Sequence, residues 1–317
     1  MMGVMSSLVP IAADLLRRPT VLRVLAAWSV QPLVVVPLFV AGWLYLAGVR
    51  AIARRYPRAP WPRSRTAWFL AGLGSLYLVL QSPIDAYANV LLWIHMLQHV
   101  VIMMASAPML LLGAPITLAL RAAGSGARKR FLLPVLHSPP VVALSNPVVA
   151  WCLFAGVIVG THFSPLYEAA LEHAWIHDVE HLLYLGSALL FWWPVIARDP
   201  SRWRLPHALR GLYVFLAAPV NTFVALAIYS AGHVLYPHYA LVVRSWGPGP
   251  LADQRWAGAL MWILGDLTLL AEVLFIVAGW ARHEEAVAAR LDEQLDRQAA
   301  RAASSHDAEG NGHAHGR

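Results

Sequence analysis

The stretch WIHMLQHVVIMMASAPMLLLGAP, residues 93–115, is the apolar segment that decides the fold of this chain. It is nearly free of charge and has about 20 residues or more, so a helix made from it can cross about 30 Å of hydrocarbon. A bilayer offers the backbone no water to bond, and the segment lacks the alternation of a barrel strand, so we expect a transmembrane helix. The same segment carries His95 and His99, and polar side chains in such a helix point to function.

The composition of the whole chain is typical of a membrane protein. Of its 317 residues, 59% are hydrophobic and 13% are charged, which is unlike an ordinary soluble domain. The net charge of +7 comes from arginines in short loops between apolar runs, a pattern that indicates membrane topology and excludes nucleic-acid binding. The single cysteine, Cys152, excludes an internal disulfide and a two-cysteine metal site.

Apolar runs of spanning length recur along the chain, and the predicted fold class is all-α, a polytopic membrane protein with seven transmembrane helices in one bundle. The runs lie near 31–49, 67–82, 90–113, 147–160, 175–197, 210–231 and 257–280. We expect residues 1–30 to form an interfacial segment, 31–283 the seven-helix membrane domain, and 284–317 a charged cytoplasmic helix followed by a disordered tail rich in histidine and glycine.

The orientation follows from the Lys and Arg content of the loops. Residues 50–66, 121–130 and 198–210 are rich in arginine, which predicts a cytoplasmic location for these loops, an external N-terminus and a cytoplasmic C-terminus. Arg17, Arg18 and Arg23 disagree with this count, and we assign them to an amphipathic helix in the membrane interface.

The histidines concentrate at the predicted outer face. His95 with His99 and His177 with His181 are i, i+4 pairs, so each pair stacks on one helix face, about 6 Å apart. Both pairs lie in the outer part of their spans, and we expect the four imidazoles to converge on a metal ion. Burying such rings without a partner costs several kcal/mol; hydrogen-bonded packing is the alternative to a metal.

The residues around the pairs favour copper. Met96 is next to His95, and Met261 opens the last span; a thioether is a soft ligand that suits copper in an oxidising compartment. Met103, Met104 and Met109 are interpreted as ordinary fillers of apolar gaps. Further candidates near the outer face are His162 and His173, together with the carboxylates Asp85 and Asp253, which supply oxygen ligands or cap helices.

Other functions stay open at this point. HDVEH, residues 177–181, fits the H-x-x-E-H zinc-protease pattern with Glu180 as general base, which would make the chain an intramembrane zinc hydrolase; we favour a role for Glu180 in orienting an imidazole or relaying a proton. Haem ranks lower, since two i, i+4 pairs would crowd a macrocycle. Asp266 and Glu272 suggest a metal transporter, or they bond to neighbours such as Asn221 and Thr222. A purely structural scaffold is the remaining class.

Four segments together resemble the multi-spanning CtaG family of cytochrome c oxidase assembly factors. They are YLAGVR with the arginine run that follows it, QSPIDAYANVLLWIHMLQHV with APMLLLGAPITLAL, THFSPLYEAALEHAWIHDVEHLLYLGSALLFWWPV, and DQRWAGALMW. The resemblance covers roughly residues 30–280. It implies a non-enzymatic factor of the bacterial inner membrane that handles copper at the periplasmic face, with a periplasmic copper carrier, oxidase subunits and the lipid bilayer as its partners. The residues it carries over are His95, Gln98, His99, His162, His177, His181, Asp85, Asp253 and Met261, and less securely His173.

Overall fold

Every regular element of the described chain is a helix, which confirms the all-α class. The computed structural model describes residues 17–314, and the side chains of these except residue 283 and residues 299–314. In chain order the helices are α1 (Val21–Ala26), α2 (Pro32–Arg55), α3 (Arg63–Gln81), α4 (Pro83–Ala88), α5 (Leu92–Val101), α6 (Ala107–Leu112), α7 (Pro115–Ala122), α8 (Ser125–Ala127), α9 (Leu133–Leu136), α10 (Pro139–Leu144), α11 (Pro147–His162), α12 (Pro165–Glu172), α13 (Ala174–Ile196), α14 (His207–Phe215), α15 (Ala217–Ser230), α16 (Pro237–Leu241) and α17 (Pro250–Ala314).

Five helical runs in the described chain are long and apolar enough to cross a membrane. They are α2, the run Leu92–Ala122, α13, the run His207–Ser230, and Pro250–Gln298 within α17. The pair α11 and α12 meets at 69° and adds a sixth if the two form one broken span. The remaining predicted span, near 67–82, is a helix, α3, but it opens on Arg63 and Arg65 and is not among these candidates. The count of seven and the orientation of the termini stay predictions.

Helix α2 connects two ends of the bundle that differ in character. At its start the backbone N–H of Gln31 donates to Gln81 Oε1 over 2.7 Å, close to Asp85, and at its end the Arg55 guanidinium donates to the carbonyl of Ala123 over 3.4 Å. A helix of 24 residues separates these points by about 36 Å. We call the end near Asp85 the histidine end, because α5 begins there with His95 and His99, and the end near Arg55 the arginine end.

A π-helical turn, Ile102–Ser106, joins α5 to α6 in one continuous helical run, Leu92–Ala122 with α7, which we call the rod. The N–H of Ala107 bonds to the carbonyl of Ile102, and Pro108 has no N–H to give, so the carbonyl of Met103 is left without a helical donor. Trp192 of α13 fills that place, with Nε1 donating to Met103 O over 2.9 Å. This bond ties α13 to the rod that carries His95 and His99.

Helix α17 packs along both α15 and α5. Its contact with α15 depends on Gly258, where a Cβ would come within 2.7 Å of the Tyr229 nitrogen and 2.8 Å of the Ala225 carbonyl. Small residues let membrane helices approach this closely. The approach places the N-terminal end of α17 against the start of α5.

The two chain ends bear on the predicted domain boundaries. Of the interfacial segment, residues 1–16 lie outside the described part, and α1 is a short exposed helix capped by Thr20. At the other end the structure describes α17 as far as Ala314, and the predicted domain boundaries, with a disordered tail from residue 304, stay predictions. The tail histidines at 313 and 315 lie outside the described side chains.

Candidate metal centre

The two histidine pairs face each other at the histidine end. The ring centroids of His95 and His177 are 5.1 Å apart, and those of His99 and His181 are 5.6 Å apart. Within the pairs the rings stack as the i, i+4 spacing predicts, at 4.4 Å for His95 and His99 and 4.1 Å for His177 and His181. The structure therefore brings the four imidazoles together.

Two overlapping sets of side chains place their ligand atoms within 4.8 Å of one another. One set is His95, His99 and His181, and the other is His95, His177 and Glu180. His95 and His99 are nearly inaccessible to solvent, at 1% and 4%, and Glu180 is fully buried. Imidazole nitrogens alone suit copper or zinc, and the second set adds a hard oxygen ligand.

The hydrogen bonds around His95 define which of its nitrogens is free. Tyr239 donates its hydroxyl proton to the carbonyl of Ala88 over 2.8 Å, so the Tyr239 oxygen accepts the bond that joins it to His95 Nδ1, 2.9 Å away. We assign the proton of neutral His95 to Nδ1 on this basis, which leaves a lone pair on Nε2. A bond from the other ring nitrogen fixes the orientation of metal-binding histidines in the same way.

The lone pair of His95 points at a second imidazole. His95 Nε2 lies 2.9 Å from His99 Nε2, and His99 Nδ1 is buried with no hydrogen-bond partner. Wherever the proton of neutral His99 sits, one of its nitrogens lacks a protein partner. An ion between His95 and His99 would be bound by both Nε2 atoms; at a metal–nitrogen distance of about 2.0–2.1 Å they would subtend about 90° at it.

Several other buried polar atoms of the cluster have no hydrogen-bond partner. They are His177 Nε2, His181 Nε2 and both carboxylate oxygens of Glu180. Each such atom costs about 1–3 kcal/mol when it is left unsatisfied, and native proteins keep few of them. Their concentration around four imidazoles fits an ion-binding site much better than histidines that serve only as packing residues.

His162 lies beside the cluster, in the last turn of α11. Its ring lies 6.5 Å from that of His99, its Nδ1 donates to the carbonyl of Ile158 over 2.8 Å, and its Nε2 lies 3.4 Å from Met96 Sδ. Ser164 caps α12 immediately afterwards, and the bend between the two helices leaves His162 turned into the bundle. Met261, from α17, lines a small cavity with Met96 and His162.

The two predicted carboxylate ligands lie elsewhere. Asp253 accepts hydrogen bonds from the N–H groups of Leu92 and Trp93, at 3.0 and 3.2 Å, and pairs with Arg244 at 3.4 Å. It therefore caps the helix that bears the histidines, which was the alternative role for this residue. His173, also predicted as a ligand, is exposed at the N-cap of α13 and belongs to neither ligand set, because the helix begins one residue after it.

Asp85 accepts hydrogen bonds from three neighbouring side chains. Ser29 Oγ donates to it over 2.8 Å, Gln31 Nε2 over 3.3 Å and Gln98 Nε2 over 3.2 Å. Burial raises the pKa of this carboxyl to about 6, and the bonds from Ser29 and Gln98 act in the opposite direction. Gln98 also donates to Val79 O, so it fixes α5 against α3 and α4.

Only part of this site could be predicted from the sequence. Glu180 was considered as an orienting residue or a base, whereas the structure places it within ligand distance of His95 and His177; its i, i+3 spacing from His177 was the available signal. Tyr239 lies 144 positions beyond His95, and no local pattern links the two.

Two mycobacterial proteins are similar to almost the whole chain. The uncharacterized protein Mb0105 of Mycobacterium bovis is 30% identical over 290 residues, and the uncharacterized protein ML1998 of Mycobacterium leprae is 29% identical over 290 residues. Both comparisons cover 89% of this chain and 44% of the relative, so the chain spans less than half the length of the curated relatives it matches. No solved structure matches it.

A family model described as cytochrome c oxidase caa3 assembly factor (Caa3_CtaG) matches residues 43–283. The match includes α5 and α13 with both histidine pairs, as well as His162, Glu180 and Met261. The resemblance inferred from the sequence motifs is thereby confirmed. The chain belongs to the Caa3_CtaG family of cytochrome c oxidase caa3 assembly factors.

Proposed function

We propose that this protein is a cytochrome c oxidase assembly factor of the bacterial inner membrane that binds copper through its converging imidazoles. Membership of the family supports a role in oxidase assembly. The cluster of buried imidazole nitrogens without hydrogen-bond partners supports the proposed metal-binding site. Copper is the cargo of this protein: it is received from a periplasmic copper carrier and passed to an oxidase subunit. The proposed role is to bind the ion and pass it on, without catalysing a reaction.

His95, His99 and His181 bind the ion, and His177 with Glu180 adjoins them. Tyr239 holds His95 in the tautomer whose Nε2 is free to bind. Imidazoles without a thiolate bind copper and still exchange it, which is what transfer from one protein to another needs. Cys152 is exposed on α11 and has no part in this site.

The histidine end faces the periplasm in this proposal. The loops at the opposite end carry the arginines, among them Arg55, Arg121 and Arg198, and basic loops stay in the cytoplasm. The 24 residues of α2 are long enough to place the two ends on opposite sides of a bilayer. Copper carriers and the growing oxidase then meet the cluster from the outer side.

The decisive experiment measures copper in the purified protein. We expect His99→Ala with His181→Ala to abolish copper retention at the imidazole cluster, because it removes two of the three ligands of the first set. The protein is purified without a histidine tag, and His313→Ala with His315→Ala is present in every sample, so that the tail contributes nothing. His137→Ala is the matched control, since His137 is exposed and bonds only to its own helix through Leu133 O. Copper content equal to wild type in the double variant would refute the site.

One observation favours a second candidate function, an intramembrane zinc hydrolase. The ligand atoms of His95, His177 and Glu180 lie close together, and two histidines with a glutamate form a common catalytic zinc site. Glu180→Gln separates the two functions. A hydrolase loses its activity on a peptide or ester substrate, whereas an assembly factor retains copper on His95, His99 and His181 and has no such activity to lose. A transporter would show copper flux into sealed vesicles; Asp266 is held by Asn221 and Thr222, as expected of a structural residue.

A further inference from the structure

The strongest unexplained feature beside the imidazole cluster is a small cavity of about 20 Å³, room for one water-sized guest. Its wall includes Met96, Met103, Met104 and Met261 together with His99 and His162. The chain has eight methionines, three of them in residues 1–16, and four of the other five line this cavity. Methionine used only as a gap filler would not gather in this way around two histidines.

We propose that this cavity is a second metal site, separate from the imidazole cluster, that takes a soft monovalent cation, Cu(I), between His162 Nε2 and Met96 Sδ, with Met261 as a further thioether donor. The proposal rests on the proposed function in one respect only: the imidazole cluster supplies the ion. Copper moves between the sites as Cu(I), so no electron is transferred.

The pair of His162 and Met96 carries the proposal. The carbonyl of Ile158 can only accept, so the 2.8 Å contact requires a proton on His162 Nδ1, and the neutral ring then has a lone pair on Nε2. That lone pair lies 3.4 Å from Met96 Sδ, which has only lone pairs to offer. Both side chains are buried, at 5% and 1% exposure, where a charged ring would be costly. A cation bound by both His162 Nε2 and Met96 Sδ explains why these two electron-pair donors face each other without a hydrogen between them.

The distance between the two atoms suits a four-coordinate ion. With a metal–nitrogen distance of about 2.0–2.1 Å and a metal–sulfur distance of about 2.3 Å, a separation of 3.4 Å corresponds to an angle of about 100° at the metal. Thioethers are soft ligands that select Cu(I) and contribute little to zinc. The cavity should therefore discriminate strongly between the two metals.

A hydrogen bond from Asn221 holds the backbone of Met261 in place beside the cavity. Asn221 Nδ2 donates to the Met261 carbonyl over 3.1 Å and to Asp266 Oδ1 over 2.9 Å, and Asn221 lines the same cavity. Gly265 leaves the room for this amide, since a Cβ there would lie 2.6 Å from Asn221 Nδ2. The buried Asn221 side chain thus fixes the helix segment that presents the second sulfur.

His99 connects the two sites. Its Nε2 faces His95 in the imidazole cluster, its ring lines the cavity, and its Nδ1 has no hydrogen-bond partner. The ring centroids of His99 and His162 are 6.5 Å apart, so an ion moves from one site to the other by exchange of neighbouring ligands. The thioether site then keeps Cu(I) away from water until it is transferred.

X-ray absorption at the copper edge tests the proposal on the full-length protein loaded with Cu(I) without oxygen. We expect sulfur scattering at about 2.3 Å in the wild type and its loss in Met96→Leu with Met261→Leu, which nearly conserves side-chain volume. Met109→Leu is the matched control, because Met109 lies on the same rod outside the cavity. Binding of Ag(I), a probe for soft sites, should weaken about tenfold or more in the double variant, with Zn(II) binding unchanged.

The outcomes separate this site from the imidazole cluster. A wild-type spectrum with nitrogen alone overturns the thioether site, whatever the double methionine variant does, and leaves the imidazole site intact if His99→Ala with His181→Ala still loses copper. Sulfur scattering combined with full copper retention in that histidine variant would refute the proposed imidazole site and support the thioether site. If the double methionine variant does not fold, Met96→Leu alone is measured against Met109→Leu, and equal Ag(I) affinity in the two overturns the site.

Discussion

At both the histidine end and the arginine end an aspartate caps the start of a helix, but the groups around the two caps differ. At one end Asp253 accepts from the N–H groups of Leu92 and Trp93 at the start of α5, and at the other Asp199 accepts from those of Ile116 and Thr117 at the start of α7. Each aspartate comes from a distant part of the chain and satisfies donors that the helix itself leaves open. A buried carboxylate at a helix start is therefore not by itself a sign of function.

The difference lies in what surrounds each cap. Three hydrogen bonds satisfy polar groups on the side of Asp199: Thr117 Oγ1 also donates to it, Tyr45 donates to Gly113 O over 2.7 Å, and Trp61 Nε1 donates to Tyr45 over 3.0 Å. Behind Asp253 lie imidazoles and a glutamate with open lone pairs. Among the described residues, the buried imidazole nitrogens without a hydrogen-bond partner all lie at the histidine end, where the proposed ion binds.

Asp253→Ala should have the largest effect, because it removes the cap of α5 and leaves Arg244 buried without its partner. We expect a loss of about 3–5 kcal/mol in the free energy of unfolding, and loss of copper binding as His95 and His99 shift. Denaturant unfolding in detergent and metal analysis check the two effects. Asp292→Ala, exposed on the same helix, is the control. Full copper retention in Asp253→Ala would show that the cap does not position the histidines.

Asp85→Asn should remove a pH dependence. Burial raises the pKa of Asp85 from 3.8 to about 6 in the folded state, so its contribution to stability is fully present below about pH 4 and is lost as the pH rises through about 6. Between about pH 4.5 and 7.5 the wild type should lose about 2 kcal/mol relative to the variant. Unfolding measured at both pH values gives this difference directly. Parallel pH profiles of the two proteins would contradict it.

The histidine pairs could be predicted from the sequence, because an i, i+4 spacing in an apolar run fixes the helix face on which the side chains lie. The partners that organise them could not. Asp253 lies 161 positions from Leu92 and Tyr239 lies 144 from His95, and such pairings depend on how α16 and α17 pack on α5.

Hydropathy alone also does not determine which of the helices span the membrane. It locates all seven predicted runs on helices, yet it does not distinguish a spanning α3, with Arg63 and Arg65 in its first turn, from a helix that packs at the membrane boundary. His173 shows the same limit on a smaller scale. One residue decides whether a side chain lies on the inner face of α13 or caps its exposed end, and hydropathy does not resolve one residue.

Asp199→Ala tests the arginine end and should have a smaller effect than Asp253→Ala. It removes the acceptor for Ile116 N, Thr117 N and Thr117 Oγ1, which costs about 1–2 kcal/mol, the usual value of a lost helix cap. Burial raises the pKa of Asp199 and so reduces what its charge contributes. Copper content should equal that of wild type. A loss of copper in this variant would mean that the two ends are coupled through the rod from α5 to α7.

Ser106→Ala probes the middle of that rod and should have the smallest effect. Ser106 Oγ lies 2.8 Å from Ser75 Oγ, and Ser75 also donates to Gly72 O over 2.9 Å, so Ser75 keeps a partner when Ser106 is removed. The loss should stay at about 0.5–1 kcal/mol in an unfolding titration, with copper unchanged. The π-helical turn would keep its shape, because Trp192 still satisfies Met103 O. If this mild change instead lowered copper content, the turn itself would set the position of His95 and His99, and Asp253 would serve stability alone.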